Sequence, residues 1–176
     1  MSNLNFTEER ADYMYLLPYN ERIPESLYLK GDDPRQIRSF NQLASLTLAT
    51  VRNYAYHPSL MQLIKTSRRH VEIDSIETGF EMLQRGRVDA LVAPTQSSLD
   101  VIADNQFIRV FESSGEICGI ASEENDDFLA FTSERAQSGK YIVLFDPLDG
   151  SSNIDCNVSI GTIFSVFRRI TPVGTP

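Results

Sequence analysis

Tyr141-Ile142-Val143-Leu144-Phe145-Asp146-Pro147-Leu148-Asp149-Gly150-Ser151-Ser152-Asn153-Ile154-Asp155 is the stretch that decides how the rest of this chain is read. Its opening, Tyr141 to Phe145, is a short apolar run of strand length, rich in branched and aromatic side chains. Pro147 has no N–H for a sheet ladder and Gly150 permits a tight reversal, so the pattern predicts a strand that stops at Asp146. Asp146 and Asp149 then stand on a turn at a strand's carboxyl end, the place where ligands collect in open α/β sheets. Gly150, Ser151 and Ser152 follow with backbone N–H groups and two hydroxyls. Acids suited to a hard cation thus adjoin donors suited to a phosphate. Asp, Pro, Gly, Ser and Asn are also ordinary turn residues, and Asp-Pro-x-Asp-Gly alone signifies no more than a chain reversal.

The full string from Asp146 to Asp155 resembles the class I fructose-1,6-bisphosphatases almost letter for letter. The likeness continues through Gly115-Glu116-Ile117-Cys118-Gly119-Ile120-Ala121-Ser122-Glu123-Glu124 and Val158-Ser159-Ile160-Gly161-Thr162-Ile163-Phe164-Ser165, and reaches back to about Gln96-Ser97-Ser98-Leu99-Asp100-Val101. It implies a Mg²⁺-dependent phosphatase of carbohydrate metabolism and gluconeogenesis, cytoplasmic, acting on a phosphorylated sugar. Fructose 1,6-bisphosphate would yield fructose 6-phosphate and phosphate; a related inositol phosphatase is the runner-up within this class, and the alternative from another class is a small-solute-binding lobe with a non-functional phosphatase fragment. By this resemblance Glu123, Asp146, Asp149 and the Leu148 carbonyl hold the metal, and Glu124 and Asp100 position or deprotonate the attacking water. Asp149, Gly150, Ser151 and Ser152 receive the substrate. The family has further helices before this segment, carrying an AMP site, and a carboxyl half with most sugar contacts. Neither is matched here, so the expectation is a truncated or recombined product joined near Ala93 to Gln96, with little activity alone and no AMP control.

Phosphate monoesters are inert, and their hydrolysis needs charge neutralised on the phosphoryl oxygens and a water made nucleophilic. Divalent ions can do both. They also reconcile an acidic chain, formal charge −8, with an anionic substrate. The reading requires Glu123, Asp146 and Asp149 to converge in space.

The same charge argues against a nucleic-acid surface. Cys118 and Cys156 lie far apart and read as reduced thiols. The start, from Met1 to Tyr13, shows no apolar signal-peptide region, and no apolar stretch approaches membrane-spanning length. The 176 residues suffice for one domain or two small ones.

Toward the amino end, Tyr13 to Leu17 suggests a short strand and Glu21 to Gln36 a connecting loop. Strands are expected at Leu46 to Val51, Val71 to Ile73 and Val88 to Val92, with helices at Pro58 to Ser67 and Ile76 to Gln84. This β-α-β-α-β rhythm predicts a parallel sheet. Phe40-Asn41-Gln42-Leu43-Ala44, Val51-Arg52-Asn53-Tyr54 and Glu81 to Ala90 are similar to one lobe of a type II periplasmic solute-binding protein, which implies that Arg52, Asn53, Tyr54 and Asp89 help face a small solute. A solvated loop and a helix-terminal turn are the plainer reading of those four.

Thr95 to Glu112 reads as a long amphipathic helix with Leu99, Ile102, Ala103 and Phe107 on its apolar face. The fold expected is therefore α/β: an N-terminal β-α-β-α-β unit over 1–95, then a partial fructose-1,6-bisphosphatase-like mixed sheet over 96–176 with a long flanking helix. Unmatched sheet edges leave room for a homo-oligomer.

Overall fold

Alternation of apolar side chains sets the first sheet. In β2 (Thr47–Val51) and β4 (Ala90–Pro94) the side chains alternate between two faces, and both faces are covered. Leu48 and Ala90 meet Leu43, Leu46 and Ile64, contributed by the 3-10 turn Phe40–Ser45 and its end and by α1 (Pro58–Lys65). Ala49, Leu91 and Ala93 turn the other way onto Leu83 and Phe80 of α2 (Ile76–Gln84). The Ser75 hydroxyl caps α2 by accepting the Thr78 N–H at 3.2 Å, and Gly86 leaves it at φ +66°.

The computed structural model describes residues 24–35, 37–156 and 158–170, so the strand expected at Tyr13 to Leu17 lies outside the described residues. Two compact units meet between Thr95 and Gln96. In the first, β2 pairs in parallel with both β3 (Arg69–Ile73) and β4, as the β-α-β-α-β rhythm predicts. The sheet order is β1-β4-β2-β3, with β1 (Glu25–Tyr28) antiparallel to β4. Strand β1 falls in the stretch expected to be loop. Glu-Ser-Leu-Tyr has no apolar alternation of its own, and its strand character comes from pairing with β4.

In the second unit the order is β6-β5-β7-β8. Strands β5 (Ile117–Ser122) and β7 (Tyr141–Asp149) are parallel, flanked by antiparallel β6 (Leu129–Ala130) and β8 (Gly161–Arg168). The sheet is mixed and is flanked by the long helix α3 (Thr95–Ser114), as expected. Short α4 (Glu134–Gln137) precedes β7.

Two expectations need correction here. Strand β7 does not stop at Asp146; it runs through buried Pro147 to Asp149. The register moves from Asp146 opposite Ile163 to Asp149 opposite Gly161, three residues on β7 against two on β8. That extra residue is a β-bulge, a place where a sheet tolerates proline. The chain reverses only at Gly150, whose φ is +80°, and a Cβ there would come 3.3 Å from the Asn153 amide nitrogen. The second correction concerns α3. Ile102 and Val110 are exposed, whereas Ser98 and Asp104 are buried. The stripe that faces the sheet carries Asp100 and Asp104 in its first half, and Phe107, Ile108 and Phe111 in its second.

The covered side of this sheet holds Ile120, Val143 and Phe145. Strand β8 is exposed along its whole length, including Ile163, Phe164, Val166 and Phe167.

Candidate active site

Pairing of β5 with β7 places Ser122 opposite Phe145. Glu123 follows the first and Asp146 the second, so Glu123 leaves the end of β5 beside Asp146, which stands within β7 just past its pairing with β5. The Glu123 N–H donates to the Phe145 carbonyl at 2.9 Å and extends the ladder by one step. On β7 the bulge matters more. Residues three apart on a regular strand point to opposite faces, but Ile163 and Gly161, the cross-strand partners of Asp146 and Asp149, are two apart and share a face. Asp146 and Asp149 are thereby brought to the same side. One Asp146 oxygen accepts the Leu148 N–H at 3.0 Å, and the Pro147 carbonyl accepts the Thr162 hydroxyl at 3.0 Å; both bonds hold the bulge.

Helix α3 delivers a third acid. Asp100 is half-buried and its carboxyl is raised above the ordinary range, first by burial and then by the charges of Asp146 and Glu123, against a lowering bond from the Ser151 hydroxyl. The other Asp100 oxygen, Oδ1, is buried with no hydrogen-bond donor. Glu124 is pushed up to about 7, chiefly by partial burial of its carboxyl, then by Asp100, Glu123, Asp104 and Asp146. Asp100, Glu123, Glu124 and Asp146 are thus close enough to feel one another's charge. Asp149 lies exposed at the end of β7. Gly150 leads into a 3-10 helix, Ser151–Cys156, whose opening turn is closed by the Asn153 N–H on the Gly150 carbonyl at 2.8 Å. Gln96 Nε2 donates to the Ser151 hydroxyl at 3.4 Å. Asp126 and Asp127 are solvated.

The model of the fructose-1,6-bisphosphatase N-terminal domain matches residues 59–176. The chain belongs to the fructose-1,6-bisphosphatase family. The match takes in α1, β3, α2 and β4 of the first unit as well as the whole second unit. Among solved structures, Leishmania major fructose-1,6-bisphosphatase in its holo form is 42% identical over 45% of this chain, with a TM-score of 0.41. The chain covers 25% of that enzyme's length. Among the described residues no helix is long and apolar enough to cross a membrane.

Divalent ions are usual in this family, and the donor chemistry suits one: an all-oxygen set with an orphaned buried carboxylate oxygen, Asp100 Oδ1. The geometry is looser than the sequence led one to expect. Among the described residues, no three Asp, Glu, His or Cys side chains are gathered closely enough to hold a metal ion. The fit is one of donor type and placement rather than of a finished cage.

Sequence reasoning missed Asp104, buried on α3, which accepts the Ser122 hydroxyl at 2.5 Å and the Asn125 Nδ2 at 2.9 Å. Its spacing from Asp100, one helical turn, with Phe107, Ile108 and Phe111 continuing the stripe, was the available signal.

The four residues with a solute-binding likeness do not share a place. Arg52, Asn53 and Tyr54 follow the end of β2, where Arg52 pairs with Asp74 at 2.6 Å and Tyr54 packs edge-on against Tyr56 with ring centroids 4.7 Å apart. Asp89 sits at the opposite end of β2, accepting the Thr47 N–H at 2.8 Å and Arg35 Nη1 at 3.0 Å. Asp89 braces the sheet.

Two outcomes follow. The Thr47 N–H and Arg35 hold the Asp89 carboxyl below its ordinary 3.8, so its contribution is present above that value and fades as pH falls through the lowered one. Asp89→Asn should lower the urea midpoint at pH 7, and the difference from wild type should shrink in acid; equal midpoints at pH 7 would refute the brace. For Glu124 the sign is opposite. A carboxyl raised from 4.5 to about 7 costs stability as pH climbs through that window. With chelator present, Glu124→Gln should melt above wild type at pH 8 and close to it at pH 4.

Proposed function

We propose that residues 96–176 form the metal and phosphate core of a sugar-bisphosphate phosphatase, with fructose 1,6-bisphosphate as substrate and fructose 6-phosphate and phosphate as products. Family membership supports the reaction class. The observation that carries the placement is Asp100 Oδ1, a buried carboxylate oxygen without a donor, close to Glu123 and Glu124 just past β5 and to Asp146 on β7.

Glu123, Asp146 and Asp149, with the Leu148 carbonyl, are the residues that would hold Mg²⁺. The bound ion would neutralise phosphoryl oxygens and acidify a water. The chain's own groups have separate tasks. Gly150 leads into the 3-10 helix that Ser151 and Ser152 open, and the N–H groups of the three with the Ser152 hydroxyl would receive phosphate oxygens, with Asp149 beside them. Gln96 and Asp100 both bond Ser151, which fixes its hydroxyl. Glu124, raised to about 7, is matched to taking a proton on a carboxylate oxygen from an attacking water near neutral pH. Asp100 orients that water from the facing helix.

The test is calorimetric titration of Mg²⁺ into wild type and Asp146→Asn, followed by assay of phosphate release from fructose 1,6-bisphosphate with and without chelator. Asp146→Asn should bind Mg²⁺ at least about tenfold more weakly, roughly 1.4 kcal/mol, while keeping its melting temperature. Unchanged affinity would remove Asp146 from the metal. Phosphate release that survives chelation would overturn the metal-dependent reading.

A further inference from the structure

Glu123 and Glu124 sit on a polar loop just past β5, where chain is ordinarily mobile. Each side of that pair is tied to one buried residue of α3. Before the pair, the Ser122 hydroxyl donates to Asp104 Oδ1 at 2.5 Å and itself accepts the Glu124 N–H at 3.3 Å. After it, Asn125 Nδ2 donates to Asp104 Oδ2 at 2.9 Å, and the Asn125 N–H returns to the Ser122 carbonyl at 3.2 Å. Asp104 and Ser122 are each only 7% exposed. A hydroxyl has one proton. Spending it on Asp104 turns the Ser122 lone pairs toward the Glu124 N–H. A carboxylate serves both ends because it accepts on two oxygens. An apolar residue would pack better on this stripe, so a buried acid one turn from Asp100 costs stability unless its bonds are needed.

We infer that Asp104 is a positioning residue: it clamps Ser122 and Asn125 and so fixes the backbone from which Glu123 and Glu124 reach the metal and the attacking water. The inference rests on the proposed function for the roles of those two acids, but the clamp itself is a statement about the loop. Outer partners of this kind commonly change metal affinity by about 10- to 100-fold when removed.

The experiment compares wild type, Asp104→Leu, Asp104→Asn and Ser122→Ala in two measurements. Amide hydrogen exchange at residues 123–125, in chelator, reads the clamp. Calorimetric titration of Mg²⁺ reads its consequence. Asp104→Leu should exchange faster at those amides and bind Mg²⁺ about tenfold more weakly. Asp104→Asn, which retains both bonds once the Asn125 amide turns over, should restore the protection. Ser122→Ala should reproduce part of the loss, and it carries the test if Asp104→Leu does not fold. Exchange at residues 123–125 unchanged in both Asp104→Leu and Ser122→Ala would overturn the clamp. Wild type that takes up no Mg²⁺ would instead overturn the proposed function, while the exchange comparison still judges Asp104.

Discussion

Phe107 and Phe111 packing on Phe145 is the contact on which the second unit depends. The ring centroids lie 5.6 and 5.3 Å from that of Phe145, with Phe107 and Phe111 5.7 Å from each other. Aromatic pairs of this geometry contribute about 0.5–1.5 kcal/mol each beyond the area they bury. Their structural effect is larger than that figure. They fix the rotation of α3 against β5 and β7, and a helix has only one stripe to present. With its second half committed to aromatic packing, the first half of that stripe brings Asp100 and Asp104 to where Glu123 leaves β5 and Asp146 stands on β7.

The acids gathered there are a cost to the fold as well as a resource. Burial and mutual repulsion raise Asp100 and Glu124, and one Asp100 oxygen goes without a donor. A sequence selected only for stability would not retain such a group. Two devices hold it: the bulge that turns Asp146 and Asp149 to one side, and the Asp104 clamp around Glu123 and Glu124. Neither produces a closed set of ligands by itself among the described residues; what the match over 59–176 shows is the family.

The two units differ in how well their sheets are covered. In the first, β2 and β4 are buried on both faces by helices. In the second, β8 is an exposed edge with Phe164 63% and Phe167 53% accessible. Among the described residues that edge has no further neighbouring strand.

Much of this was legible in the order of residues. Periodicity placed α2 at Ile76–Gln84 and located the parallel strands of the first sheet, because those signals are local. The string around Asp146 to Asp155 and its family likeness were legible for the same reason. Strand β1 was not, since Glu25-Ser26-Leu27-Tyr28 takes its conformation from β4. The end of β7 was misplaced because Pro147 breaks a regular ladder but fits a bulge, and the bulge exists only against β8. Asp104 stayed hidden because an acid on a helix is ordinarily solvated; only the packing of Phe107 and Phe111 turned it inward. Asp89 seemed able to join Arg52 until the sheet put them at opposite ends of β2. Residue order alone determined the family and those elements that rest on local periodicity, since both are carried by neighbours in the chain. Which acids meet, and what holds them, was decided by strand register and helix rotation, which arise from contacts between residues far apart in sequence.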